Sequence, residues 1–201
     1  LGTASARPTS TRSVSGSVFS CQEGLVVIDA GEGFQMRYSK QRRRLKQENE
    51  PALLRPNRIV AITLTHGHLD HTWGLLPFLQ TLSLDGRQQP LLVYGPTSNA
   101  ILDALDSGGI DVMLPEGTPS AELLNQYRSW FSLGGTAGHL GYPIRWLLGD
   151  PQSGRWVEFA DNARSLVWHD SMPQPDAFTS FRMDPIPTSH SVPSCAWQLS
   201  R

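Results

Sequence analysis

The chain has 201 residues, room for one domain with a substantial core and too little for two. Its 39% hydrophobic and 17% charged residues exclude a disordered chain, and no apolar run reaches the roughly 18 residues that a membrane-crossing helix needs. A formal net charge of −1 restricts any nucleic-acid contact to a local basic patch. Leu1 to Ser13 lacks the apolar stretch of a secretion signal, and Cys21 and Cys195 form no CxxC pair. Both therefore read as free thiols of a reducing, intracellular compartment.

Gly2 to Gly16, rich in Ser, Thr, Arg and Gly, reads as loop. Ser17 to Cys21 and Leu25 to Asp29 predict two short strands, joined as a hairpin at Gln22-Glu23-Gly24. Ala30 to Gly33 is a tight turn, and Phe34 to about Lys46 predicts a helix, with Pro51 and Pro56 breaking the segment after it. Arg58 to Thr65 is an almost continuous apolar, β-branched run, the mark of a strand buried on both faces. Leu75, Leu76, Leu79 and Leu82 then fall at helical spacing, which predicts a helix from near Thr72. Leu91 to Tyr94 is a second buried strand, and Thr97 or Ser98 caps a helix with Ile101, Leu102 and Leu105 on its inner face. Two strand-then-helix units argue for a layered α/β domain. Ser120 to Phe131 predicts a further helix, and Ser165 to Trp168 and Phe181 to Ile186 predict short strands. Between them, Gly134 to Gly154 carries six glycines and two prolines, which supports no regular element.

The chemistry concentrates at Thr65-His66-Gly67-His68-Leu69-Asp70-His71. One histidine on a loop is ordinarily a solvated residue. Four ligand-type side chains within six positions, directly after a buried strand, are a metal motif, because a rigid strand end can hold ligands to a metal's tolerance. In an extended segment His66 and His68 project to the same side and can grip one ion, while Asp70 and His71 turn towards a second. Imidazole and carboxylate donors suit zinc, with manganese or iron as substitutes. Arg37, Lys40, Arg42, Arg43, Arg44 and Lys46 form a basic run on the first helix, readable as a solvated face or as a contact for RNA phosphates. His139 and His169 belong to no motif and read as surface or loop residues.

H-x-H-x-D-H after a hydrophobic strand, followed by Trp73-Gly74-Leu75 opening a helix, is similar to the main signature of the metallo-β-lactamase superfamily. That resemblance implies an α/β fold of the αββα sandwich type. It also implies two zinc ions that activate a water for hydrolysis, with Asp70 on the second ion and as the catalytic proton carrier. Gly2 to Arg12 resembles the opening loop of the ribonuclease Z family, the endonucleases that trim precursor tRNA at its 3′ side. Pro8 and Arg12 match the family's P-x-K-x-R-N loop, whereas Ser10 and Ser13 stand where that loop has lysine and asparagine. Ile28 to Gln35 resembles the family's D-C-G-E-G-T-Q stretch, and Val93-Tyr94-Gly95-Pro96 matches a strand end there. Thr188 to Trp197 resembles its later H-x-V-P-S-x-G-Y segment.

The resemblance assigns His190 to the first ion beside His66 and His68, and Asp29 to hydrogen bonding that orients the metal loop. It assigns Arg12, Glu32 and Gln35 to substrate, precursor tRNA to the site, and a homodimer to the assembly, with no membrane association. It also implies a bridging aspartate and a further histidine downstream of His190. Asp170, Asp176 and Asp184 all precede it. The chain begins with Leu1 and stops at Arg201, so residues 1–201 read as a single domain truncated after its third metal motif, with an incomplete second site. Two other functions remain open: a phosphodiesterase or other hydrolase of small molecules, and an inactive or partner-dependent half domain.

Overall fold

Alternation along the strands decides which side of the main sheet each residue faces. The computed structural model describes residues 1–4, 6–115, 117–118, 121–133, 140–160 and 163–201. Strands β1 (Ser17–Ser20), β2 (Leu25–Ile28), β3 (Ile59–Thr63), β4 (Leu91–Pro96), β5 (Ile144–Gly149), β6 (Trp156–Ala160) and β7 (Ser165–His169) form one seven-stranded sheet in chain order. The centre, β2 to β5, is parallel, and both margins are antiparallel. Leu25, Val27, Leu91, Val93 and Leu148 point to one face, where they meet α1 (Phe34–Gln47), α3 (Leu75–Leu84), α4 (Asn99–Gly108) and α5 (Glu122–Ser132). Val26, Ala61, Leu92, Tyr94, Leu147 and Trp156 point to the other face. There they meet Met183 and the inner side of a two-stranded sheet made of β8 (Arg182–Thr188) and β9 (Ser194–Ser200). The result is a helix layer, a large sheet and a small second sheet, in agreement with the expected sandwich class.

The hairpin, the first helix and the buried strands lie where the sequence predicts them. Strands β6 and β9 have no predicted counterpart, and three further places differ. The helix expected from Thr72 comes in two pieces, α2 (Leu69–Thr72) and α3, because Gly74 lies against the turn after β2. Its N–H bonds to Ala30 O at 2.8 Å, and a Cβ there would stand 2.1 Å from Gly31 O. The glycine-rich stretch contains β5, a central strand. Its run Ile144-Arg145-Trp146-Leu147-Leu148 is short, but β4 and β6 on either side complete its hydrogen bonds. His169 closes β7 and lies 3.2 Å from Glu158 Oε2, so it is half-buried in a strand rather than on a loop. Glu158 also takes both donors of Arg145, which explains why a charged cluster sits so far in. His139 and the first residue of the helix predicted from Ser120 lie outside the described residues.

Glu23, in the turn between β1 and β2, clasps the segment before β8. Its carboxylate accepts the Thr179 hydroxyl (2.6 Å) and the N–H groups of Thr179, Ser180 and Phe181 (2.8 to 3.1 Å). The Thr179 hydroxyl above all, opposed by desolvation and helped by the Thr179 N–H and by Ser180, lowers the Glu23 carboxyl from 4.5 to about 2. A depressed carboxyl stabilises the fold above its ordinary value and loses that contribution as pH falls towards the folded value. Wild-type protein is therefore expected to melt above Glu23→Gln at pH 7, with the gap shrinking between pH 4.5 and about 2. Thermal melts of both proteins across that range check this, and a gap that stays constant contradicts it.

Candidate metal centre

Strand β3 is buried on both faces and delivers the chain, through Leu64 and Thr65, to His66 at a fixed point on the sheet's edge. His66 and His68 flank Gly67 in an extended segment and turn to the same side, with Nε2 of the first 3.1 Å from Nδ1 of the second. Gly67 O accepts the Gln126 amide of α5 at 2.6 Å, so the helix layer props the loop from behind. His190 arrives from the turn between β8 and β9. Its ring centroid lies 4.6 Å from that of His66 and 4.9 Å from that of His68. One ligand atom from each of the three histidines falls within 4.8 Å of the others, a group that could hold a metal ion.

Two bonds bring His190 there. Cys195 N–H donates to Thr65 O (2.9 Å) and the Trp197 indole N–H donates to Leu64 O (3.0 Å), so β9 docks on the end of β3. Trp197 packs beside Tyr94 and Trp156 and locks that position. Burial pushes the Cys195 thiol well up, so it stays protonated and serves as packing.

Asp29 organises the other side. It is buried and sits in the left-handed region at φ 58, where a residue with a Cβ gives up roughly 1–2 kcal/mol. Its carboxylate accepts the Thr65 N–H (2.8 Å), the Thr65 hydroxyl (2.9 Å), the Ser15 hydroxyl (3.1 Å) and the His71 ring at Nδ1 (2.7 Å). With Nδ1 held, His71 offers Nε2 outward, 3.6 Å from Asp70 Oδ2. The Thr65 oxygen, having donated to Asp29, can accept from His66 Nδ1 at 3.0 Å, which leaves His66 Nε2 bare for an ion. Asp29 thus holds His71 directly and His66 through Thr65. Ser191 N–H donates to His190 Nδ1 (2.8 Å), so Nε2 is the atom left on that ring to face an ion.

Electrostatics separate His66 from His71. Burial, followed by the neighbouring His71 and His68, lowers His66 to about 4, so it carries a lone pair at neutral pH. Burial pulls His71 down as well, but the Asp29 hydrogen bond and the charges of Asp29 and Asp70 together leave it above its ordinary value. The donor set and its spacing fit zinc or a similar borderline cation.

The structure brings together His66, His68, Asp70, His71, His190 and Asp29. The three residues assigned to substrate differ in their surroundings. Arg12 and Glu32 stand exposed, and the Gln35 amide is spent on Thr81 Oγ1 (2.6 Å), joining α1 to α3. Thr65, Gln126, Cys195 and Trp197 are the positioning residues that sequence reasoning misses. Only the threonine beside the first histidine, and the tryptophan inside the late motif, offered a signal. Loss of the Asp29 network is expected to weaken zinc binding by about 10–100-fold. Chelator competition on Asp29→Asn, with its fold confirmed by circular dichroism, measures this, and wild-type affinity would contradict the orienting role.

The family model described as the metallo-beta-lactamase superfamily matches residues 18–149. Curated relatives include proteins named Ribonuclease Z. That of Pyrococcus furiosus is 34% identical over 153 residues, covering 72% of this chain and 46% of the relative. That of Myxococcus xanthus is 35% identical over 101 residues, covering 49% of this chain and 28% of the relative. The chain spans about half the length of the first of these. Among solved structures, the short form of human tRNase Z superposes with a TM-score of 0.55 at 22% identity, covering 99% of this chain and 62% of that one. The fold protein YhfI of Bacillus subtilis gives 0.52 at 15% identity, with 99% and 55% covered. At those identities the likeness concerns the fold.

Proposed function

The chain belongs to the metallo-β-lactamase superfamily, and we propose that it is the metal-binding part of a zinc-dependent endoribonuclease that trims precursor tRNA at its 3′ side. The observation that carries this is the convergence of His66, His68 and His190, 124 positions apart at the extremes (190 − 66), on one point, with Asp70 and His71 beside them. The relatives named Ribonuclease Z support this branch.

A zinc ion bound there supplies Lewis-acid activation of water and neutralises charge on a phosphodiester. The protein's own part is to present three imidazoles, of which the buried His66 is held neutral, and to hold Asp70 where it can accept a proton. Residues 1–201 act as one domain in this reading, which also takes an intracellular homodimer as the working form.

Substrate of this size is gripped through its phosphates. On α1, Arg37 is turned inward to Thr11 O and Ser13, Arg42 pairs with Asp85, and Arg44 pairs with Glu48. Lys40, Arg43 and Lys46 stand exposed and form the outward basic stripe. If the stripe meets RNA, Arg43→Ala is expected to reduce the salt slope of tRNA binding by about 1. Binding isotherms between 50 and 200 mM salt, about the range where such contacts dominate, decide it; an unchanged slope makes α1 a solvated face.

The reading is tested by incubating the zinc-loaded protein with a 3′-extended precursor tRNA and, separately, with bis(p-nitrophenyl) phosphate. Cleavage at the tRNA 3′ side is expected, and His190→Ala should lose zinc by more than the about 10–100-fold of an orienting substitution. Turnover of the small ester alone refutes the tRNA assignment. Zinc without hydrolysis of either substrate makes the domain non-catalytic.

A further inference from the structure

We propose that the polar pocket beside His190 is a nucleoside subsite that recognises a ribose 2′-hydroxyl, an inference that rests on the phosphodiester reading above. The pocket holds about 310 Å³ and opens outside the carboxyl ends of β4 and β5. Thr97 and Ser98 form one wall, where β4 passes into α4. Asp150 and Gln152 form the floor, where the chain turns from β5 towards β6. The loop Thr188–Ser194 forms the far wall and carries His190. A group in the pocket therefore touches the same imidazole that completes the histidine trio. Crevices outside the carboxyl ends of parallel strands are where open α/β sheets take ligands.

Chemistry selects the ligand. Hydroxyls dominate the lining, and its charged group other than the histidine is the Asp150 carboxylate; among the described residues neither lysine nor arginine lines it. A phosphate there would face a carboxylate with no lining cation to offset it. A neutral sugar finds both donors and acceptors. Asp150 is 7% exposed and is held by the Gln152 and Ser153 N–H groups, at 3.1 Å to each oxygen. Each carboxylate oxygen retains acceptor capacity for a hydroxyl donor. Thr188 and Ser194 are bonded to each other (2.8 Å) and Ser191 to His190 (3.1 Å), which stiffens the far wall. Ser98 sits at the start of α4 with no side-chain bond to the helix, so its hydroxyl is available to a ligand. The volume is at the low end for small-molecule sites and suits one nucleoside rather than a stem. Phosphate at the histidines and its neighbouring nucleoside in the pocket would then share His190 as their boundary. The 2′-hydroxyl is the group that separates ribose from deoxyribose.

The test uses zinc-loaded protein and fluorescein-labelled single strands of one sequence, all-RNA, all-DNA, and DNA carrying one ribose at each position in turn. Fluorescence anisotropy is expected to show RNA bound about tenfold more tightly than DNA, with the preference restored by a single ribose. Ser98→Phe, which fills the pocket, should abolish the preference while zinc content and DNA affinity stay as in wild type. Gln152→Trp fills it from the other side and serves if Ser98→Phe does not fold. Equal binding of RNA and DNA, or a preference that survives the fillings, overturns the subsite and leaves the phosphodiester reading standing. Binding of neither strand overturns both.

Discussion

One buried carboxylate, that of Asp29, joins four parts of the chain that otherwise have little reason to meet. It lies at the end of β2 and receives donors from the opening loop (Ser15), from the end of β3 (Thr65) and from α2 (His71). A buried anion without partners would cost several kcal/mol, so each donor is held in place by the others' need to surround it. The same logic sustains its left-handed backbone, since the local strain is outweighed by four well-made hydrogen bonds. Orientation of His71, and through Thr65 of His66, is therefore set by folding, before any ion arrives.

The remaining histidine depends on a different constraint, the stacking of the small sheet on the large one. β9 contributes two donors, the Cys195 N–H and the Trp197 indole, to the last carbonyls of the β3 exit. The main sheet's own ladder does not reach those carbonyls, because β3 pairs with β4 only as far as Thr63. Unsatisfied buried carbonyls are costly, so the sheet end itself recruits β9. The trio consequently exists only when both sheets are assembled, which makes the metal centre a report on the whole domain's fold rather than on its local loop.

How much the sequence discloses depends on how local each signal is. β3 and the H-x-H-x-D-H run are legible because hydrophobic continuity and ligand spacing are encoded within fourteen residues, Arg58 to His71. The first helix, the hairpin and α4 are legible for the same reason. β5 is not: its five-residue run Ile144–Leu148 lies among glycines, and its strand character comes from pairing with β4, about fifty residues earlier, and with the β6 that follows it. His169 looks like a stray surface residue until Glu158 and Arg145 from two other strands stand next to it. The positioning roles of Gln126 and Cys195 are long-range by nature, so no window of residues could reveal them. Gln35, assigned to substrate by its motif, turns instead to Thr81, because α1 and α3 pack closely enough to claim its amide.

Asp70 links the metal loop to the opening loop. Ala6 N–H donates to Asp70 Oδ2 at 3.0 Å, on the same oxygen that stands 3.6 Å from His71 Nε2. The base of the opening loop is closed by Gly2 N–H to Gly16 O and by two N–H groups to Ser13 O, while Arg37 of α1 reaches across to Thr11 O and Ser13 Oγ. Leu1 to Gly16 is thus fastened at its base to β1, along its side to α1 and near its tip to Asp70. A loop held at three points loses most of its freedom on folding. Gly31 also packs against the backbone oxygen of Asp70, with no room for a Cβ, so the turn after β2 and the backbone of the metal loop lie in direct contact. Through the Ala6 bond the position of Asp70 is coupled to that of the opening loop, which ties the candidate metal centre to the chain's first residues.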